Sequence, residues 1–271
     1  MKTIKLKQVE HNVKVGKNCP YIEPNITESC LLEVDGEIIG FYIEDVAKHS
    51  KKLSKLLSVA NKEFRSDRVP KTYLDRMSTI TNEADKSKSH VRAESRVLGC
   101  SQWSTIIGSI PPNAVMRRPY PNKSQVHKVK EAQLYIKAML ATAYESEKII
   151  QKLTPHIHEK QVEVLSDVDK KWKFGNLWTG SISNFNIAAS FHRDTGNIKG
   201  AVNVILTKRN NSKGGCLNVP DYNVTFEQKD NSMLVYPAWK NIHGVTPIKQ
   251  THETGYRNSL IFYPIKAFKG I

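Results

Sequence analysis

Phe191-His192-Arg193-Asp194-Thr195-Gly196-Asn197 is the stretch on which the reading of this chain turns. His192 and Asp194 stand two residues apart, and on an extended strand end that spacing points both side chains to the same side. After 48 intervening residues comes His243, in Asn241-Ile242-His243-Gly244-Val245. Two imidazoles and one carboxylate can take one face of an octahedral metal and leave three positions open, the donor set of non-haem Fe(II) oxygenases. Farther on come Arg257 and then Ser259, on one face of the last strand. A guanidinium inside a barrel is costly unless a carboxylate meets it, and 2-oxoglutarate carries one at the end remote from the metal. With nine histidines in the chain, a His-x-Asp and a distant His alone are a weak signal. The order His-x-Asp, His, Arg-x-Ser on successive β segments is far more specific.

The texture around these residues is β-rich. Short runs at 182–191, 201–207, 216–219, 232–236 and 256–263 are separated by loops rich in Gly, Asn and Pro. This spacing predicts a sandwich or jelly roll packed against the preceding helices, hence an α+β fold. Upstream, Asp35-Gly36 sits between two apolar runs as the two-residue turn of a hairpin. Residues 46–64 read as an amphipathic helix with lysines on its open face, and 125–153 as a long helix carrying an apolar stripe. Residues 78–95 are polar, with little periodicity, and read as a long loop or mobile segment. His156 and His158 lack a third ligand nearby and read as surface residues. Without a repeat or low-complexity linker, the expectation is one catalytic domain over 1–271. It comprises a hairpin region (1–45), a mainly helical, basic region (46–170) and a jelly-roll core with the metal site (171–271).

Among the chain's 271 residues, 41 Lys and Arg oppose 26 Asp and Glu, a formal net charge of +15. Residues 51–150 hold 19 basic and 9 acidic side chains, which makes this third the expected footprint of a polyanion. Within it, Arg117-Arg118-Pro119-Tyr120-Pro121 puts two guanidinium groups and an aromatic on a proline-stiffened loop, able either to grip phosphate or to serve as a connector. Cys19, Cys30, Cys100 and Cys216 lie far apart with no Cys-x-x-Cys, so neither a disulfide framework nor a zinc site is suggested. No run approaches the roughly 20 apolar residues of a membrane span, and the first residues lack a secretory apolar run. A reduced, cytoplasmic setting with no membrane partner is expected.

Four segments together resemble the TET/JBP family of Fe(II)- and 2-oxoglutarate-dependent dioxygenases: His192-Arg193-Asp194-Thr195-Gly196-Asn197, Gly214-Gly215-Cys216-Leu217-Asn218-Val219-Pro220, His243-Gly244-Val245-Thr246-Pro247 and Arg257-Asn258-Ser259. Compact, bacteriophage-type members are the best match in size. The resemblance covers about the last 90 residues and implies a double-stranded β-helix core (jelly roll, cupin-like). It implies Fe(II), 2-oxoglutarate and O2, with His192, Asp194 and His243 as iron ligands and Arg257 and Ser259 on the remote carboxylate. Asn197 matches a position held against the target base; a loop Asn capping a turn is the alternative.

The implied reaction is hydroxylation of the methyl group of 5-methylcytosine or thymine in DNA, by ferryl hydrogen abstraction as 2-oxoglutarate becomes succinate and CO2. A stacked base must be flipped out to be reached. Arg117, Arg118 and Tyr120 are the expected grip on the DNA backbone. Trp178 is a candidate pocket wall, with core packing as its alternative. No protein partner is implied. Two features depart from the family: there is no cysteine-rich zinc module, and no histidine follows His252, which leaves the base open. Other substrates for the same chemistry are N6-methyladenine, RNA, a free nucleotide, a protein side chain or a small metabolite.

Overall fold

The computed structural model describes residues 1–73, 102–113 and 117–271. Asp35 and Gly36 both take positive φ, 51° and 84°, as the tight hairpin turn requires. They join β2 (Cys30–Val34) to β3 (Glu37–Ile43), and β1 (Lys2–Lys5) lies parallel to β2. This hairpin is built into the main sheet of the molecule. That sheet has ten strands in the order β1, β2, β3, β13 (Met233–Tyr236), β9 (Asn203–Asn210), β16 (Tyr256–Tyr263), β7 (Gly180–Phe185), β5 (Trp103–Ile110) and β4 (Thr72–Tyr73), with β6 (Asn122–Lys123) paired to β5. A smaller sheet has the order β12 (Val224–Phe226), β11 (Leu217–Val219), β14 (His243–Val245) and β8 (Ala189–His192). β10 (Ser212–Gly214) and β15 (Ile248–Gln250) form a separate ribbon.

The apolar run at 182–191 is two strands rather than one. Asn186 breaks it with φ 54°, a conformation that Asn tolerates better than most residues. There the chain leaves the large sheet as β7 and enters the small one as β8. The corner is held by reciprocal bonds: Asn186 N–H donates to Arg257 O (2.9 Å) and Arg257 N–H to Asn186 Oδ1 (2.8 Å).

The expected helix at 46–64 begins as a 3-10 turn at Val46–Lys48 and becomes α1 only at Lys51–Arg65. Ser50 caps α1 by accepting from Leu53 N–H. The helix expected at 125–153 starts later, as α2 (Gln133–Leu153), because Val129 holds an extended ψ of 114° between two 3-10 turns. α3 (Pro155–Val164) follows at once, with Pro155 in its first turn, where a missing N–H costs nothing. β5 falls in the region expected to be mainly helical. The polar stretch 78–95 lies outside the described residues.

Alternation along the strands assigns the layers. Val204, Leu206, Leu260 and Phe262 face α1 and α2, sharing a buried cluster with Leu53, Leu57, Tyr135 and Met139. On the other face, Ile205 and Leu234 meet Leu217, Val219 and Phe226 of the small sheet. Helices, large sheet and small sheet thus form three layers, with the jelly roll between the two sheets. On β16 the residues that alternate with Leu260 and Phe262 are Arg257, Ser259, Ile261 and Tyr263, and these line the cavity between the sheets. No described helix is long and apolar enough to cross a membrane.

Candidate active site

β8 ends at His192 and β14 begins at His243, and the two are register partners. Their rings are therefore cross-strand neighbours, with centroids 4.3 Å apart. Asp194 follows β8, its N–H donating to Ala238 O (3.1 Å). Its Oδ1 lies 3.5 Å from His192 Nε2 and 3.8 Å from His243 Nε2. One ligand atom from each of the three lies within 4.8 Å of the others. His192 Nδ1 contacts Ser190 O (2.7 Å) and His243 Nδ1 contacts Asn241 O (3.1 Å). A carbonyl only accepts, so both Nδ1 atoms carry hydrogen and both Nε2 lone pairs point to the shared centre. Such a donor set fits a divalent metal with three positions left open.

The electrostatics keep His243 and Asp194 in their ligating forms and favour a proton on His192 until a metal displaces it. Burial and the nearby His192 hold the His243 imidazole below its ordinary range, so it stays neutral. For His192 burial also disfavours the charge, but the bond and charge of Asp194 prevail and raise it. Burial works against the charge on Asp194 too; His192 and His243 outweigh it and keep the carboxyl below the usual range. The second carboxylate oxygen is fixed separately. Asn203 Nδ2 donates to Asp194 Oδ2 (2.7 Å), while Asn197 Nδ2 reaches both Asn203 Oδ1 (2.9 Å) and Asp194 Oδ2 (3.4 Å).

From these donors a cavity of about 440 Å³ runs between the sheets to Arg257. Arg257 is only 2% exposed and its Nε has no hydrogen-bond partner. Burial, then the neighbouring Arg209, lowers its pKa to about 10. Arg209, opposite it on β9, is occupied by the carbonyls of Ser212, Gly214 and Gln228. Among the described residues no carboxylate forms a salt bridge with Arg257, which leaves this buried cation able to take an anion in the cavity it lines. Gly215, at φ 67°, makes room: a Cβ there would stand 3.2 Å from Arg257 Nε. A small dicarboxylate with one end at the open metal positions and the other at Arg257 fits the arrangement.

His192, Asp194, His243, Asn197, Arg257 and Ser259 all line this one cavity. Asn197 comes to it with its amide hydrogens committed to Asp194 and Asn203, leaving Oδ1 for a ligand. Trp178 takes the core-packing alternative: it is fully buried against Phe262 in the helix-side core, on the far face of the large sheet, and is not among the residues lining this cavity. Arg117, Arg118 and Tyr120 do not line the cavity either. Arg118 Nε donates to Pro111 O (2.8 Å), and Tyr120 is 78% exposed. Their loop does leave β5 at the end where Gly108 pairs with Gly180 and Gly180 with Tyr263, the end of the sheet where Tyr263 lines the cavity. His158 is not a free surface group: it meets Glu147 at 3.2 Å.

Two cavity residues escaped the sequence reading. Asn203 braces Asp194, and Tyr236 stands edge-on to His243 with its buried hydroxyl unpartnered. Each is a polar residue at the end of an otherwise apolar strand run, Asn203-Val204-Ile205-Leu206 and Met233-Leu234-Val235-Tyr236. That pattern was the available signal.

Comparison with known proteins follows the same lines. Residues 113–266 match the family model described as the Tet_JBP oxygenase domain of the 2OGFeDO superfamily. In three dimensions the chain is similar to NgTET1 in complex with 5mC DNA, at TM-score 0.55 and 13% identity, covering 95% of this chain and 84% of that one. A 2OG-Fe(II) oxygenase family protein from Burkholderia pseudomallei aligns at TM-score 0.45 and 10% identity, over 82% of this chain and 83% of that one. No curated protein matches in sequence.

Proposed function

Since the chain belongs to the TET/JBP oxygenase family of the 2OGFeDO superfamily, enzymes that use Fe(II), 2-oxoglutarate and O2, we propose that it hydroxylates the methyl group of a 5-methylpyrimidine in DNA, 5-methylcytosine before thymine. His192, Asp194 and His243 hold the iron; Arg257, with Ser259, holds the remote carboxylate of the cosubstrate. When bound, iron with 2-oxoglutarate and O2 supplies the oxidising chemistry, one oxygen atom going to the methyl group and one to succinate as CO2 leaves. The protein orients the reactants. The carbonyls of Ser190 and Asn241 fix both imidazoles, Asn203 fixes the carboxylate, and the two sheets form the walls of the space between.

The observation that carries the choice of base is Asn197. With its amide hydrogens held by Asp194 and Asn203, it offers only Oδ1, an acceptor. Beside its methyl-bearing carbon, 5-methylcytosine carries an exocyclic amine, whereas thymine carries a carbonyl. An acceptor pairs with the first and repels the second. The net charge of +15 and the 5mC DNA bound by the similar NgTET1 support a duplex partner, from which the base must be flipped. Arg117, Arg118 and Tyr120, on the loop beyond β5, are the proposed backbone grip. Strands from both termini share the large sheet, which supports treating 1–271 as one catalytic unit.

Nucleoside mass spectrometry tests this directly. DNA containing 5-methylcytosine, incubated with protein, Fe(II), ascorbate and 2-oxoglutarate, should yield 5-hydroxymethylcytosine and far less oxidised thymine. Succinate release that is equal with and without DNA, or oxidation of RNA or N6-methyladenine instead, overturns the proposal.

A further inference from the structure

The first twenty residues lie outside the family-matched segment 113–266, yet they touch both histidine-bearing strands. β8 is the outer strand of the small sheet, and residues 16–17 pair with its free edge: Gly16 N–H donates to Phe191 O (2.7 Å) and Phe191 N–H to Lys17 O (2.8 Å). Phe191 is the residue before His192. Cys19 and Val13 pack with Phe191 and Ile242, and Gly244 comes so close that a Cβ there would stand 2.8 Å from Cys19 Cβ.

A second line of contacts reaches His243. Val9 N–H donates to Asp221 O (2.9 Å), and His11 Nε2 lies 2.7 Å from Asp221 Oδ1. His11 Nδ1 accepts from Val13 N–H (3.2 Å), so its hydrogen sits on Nε2 and is given to the carboxylate. Asp221 Oδ2 accepts from Asn241 Nδ2 (2.8 Å) and Ile242 N–H (3.3 Å), and the carbonyl of that same Asn241 receives His243 Nδ1 (3.1 Å). An imidazole ligand is aimed by whatever its other nitrogen bonds. Here that partner is a backbone carbonyl whose peptide is pinned by a buried carboxylate, itself pinned by the N-terminal segment.

We propose that residues 9–19 form a strap that sets the metal geometry, with His11 and Asp221 as positioning residues for His243 and the Gly16–Lys17 peptide as the brace for the strand of His192. This rests on the reading that His192, Asp194 and His243 hold the metal. The orienting partner of a ligand is worth about 10–100-fold in metal affinity.

The test measures Co(II) affinity by titration of the metal-free full chain, alongside thermal melting without metal. His11→Phe and Asp221→Asn should each weaken Co(II) about tenfold or more while the metal-free melting temperature moves by only a few degrees. His11→Gln, whose amide can still donate to Asp221, should restore affinity to within about threefold of the unaltered chain. Unchanged affinity in both His11→Phe and Asp221→Asn overturns the strap. So does a loss that tracks a fall in melting temperature and is not rescued by Gln, which would make the segment merely structural. His192→Ala separates the two levels: if it binds Co(II) as well as the unaltered chain does, the metal reading itself fails, whereas loss in His192→Ala with no loss in His11→Phe removes only the strap.

Discussion

The two sheets that enclose the cavity are held in different ways. The large sheet presents Arg257 and Ser259 from β16, a strand of eight residues paired on both sides, with Leu260 and Phe262 fully buried against the helices. The small sheet presents His192 and His243 from strands of four and three residues, and the register between them shifts after His243. Few ladder bonds hold these strands; side-chain and loop bonds from Asn203, Asp221 and residues 9–19 complete them. The proposed anion end of the cavity is therefore fixed by strand packing, and the proposed metal end by hydrogen bonds from distant parts of the chain. Packing tolerates loss of a polar group, whereas a hydrogen-bonded end does not.

Removing a donor should have the largest effect. His243→Ala leaves two of three proposed ligands and should lower succinate production at least about 1,000-fold, over 4 kcal/mol at about 1.4 kcal/mol per tenfold. DNA binding should persist, measured by its steep fall with added salt. Turnover within tenfold of the unaltered enzyme would remove the metal site from this end of the cavity. Next, Leu260→Ala should cost about 3 kcal/mol of stability in urea unfolding, as expected for a fully buried leucine beside packed helices. A cost under 1 kcal/mol would mean that strand packing does not fix the anion end.

Arg257→Met distinguishes a cation kept for a ligand from one kept for the fold. Its Nε is unpartnered, so replacement by an apolar chain of similar length should leave melting unchanged or raise it. The KM for 2-oxoglutarate should meanwhile rise about 100-fold, the value of a charge-assisted fork at about 2.7 kcal/mol. A destabilised protein with unaltered KM would reverse the assignment.

What the sequence made legible follows this same division. That His192, Asp194, His243, Arg257 and Ser259 share one cavity could be read because each is a chemically distinctive residue at a fixed spacing on a local β segment. The hairpin at Asp35-Gly36 was readable because its positive φ values have a local residue signature. The break at Asn186 was not, since an apolar run reads through a corner when the switch of sheets is a tertiary event. Nor was the brace of Asp221 by His11, two residues 210 apart whose pairing depends on how the N-terminal segment crosses the small sheet. Trp178 was open to two readings because burial in the core and burial at a pocket look alike in one dimension.

Asn203 is where the two ends meet, and the smallest effect predicted here is the most discriminating. It sits on β9 in the large sheet, yet its amide reaches Asp194 at the metal end, and Tyr236 is its partner across the ladder. Asn203→Ala removes the donor to Asp194 Oδ2 and the acceptor for Asn197 Nδ2 in one step. The carboxylate then loses its fixed orientation, and metal affinity should fall about tenfold, the lower end for an orienting partner. Asn197 loses its main anchor as well, so its amide can turn and offer N–H in place of Oδ1. If Asn197 selects the base by its fixed acceptor, the preference for 5-methylcytosine over thymine should shrink in this variant by more than overall turnover falls, measured on mixed oligonucleotides at saturating Fe(II). Preference that survives intact while metal affinity drops would confine Asn203 to the metal end and put the choice of base elsewhere in the cavity.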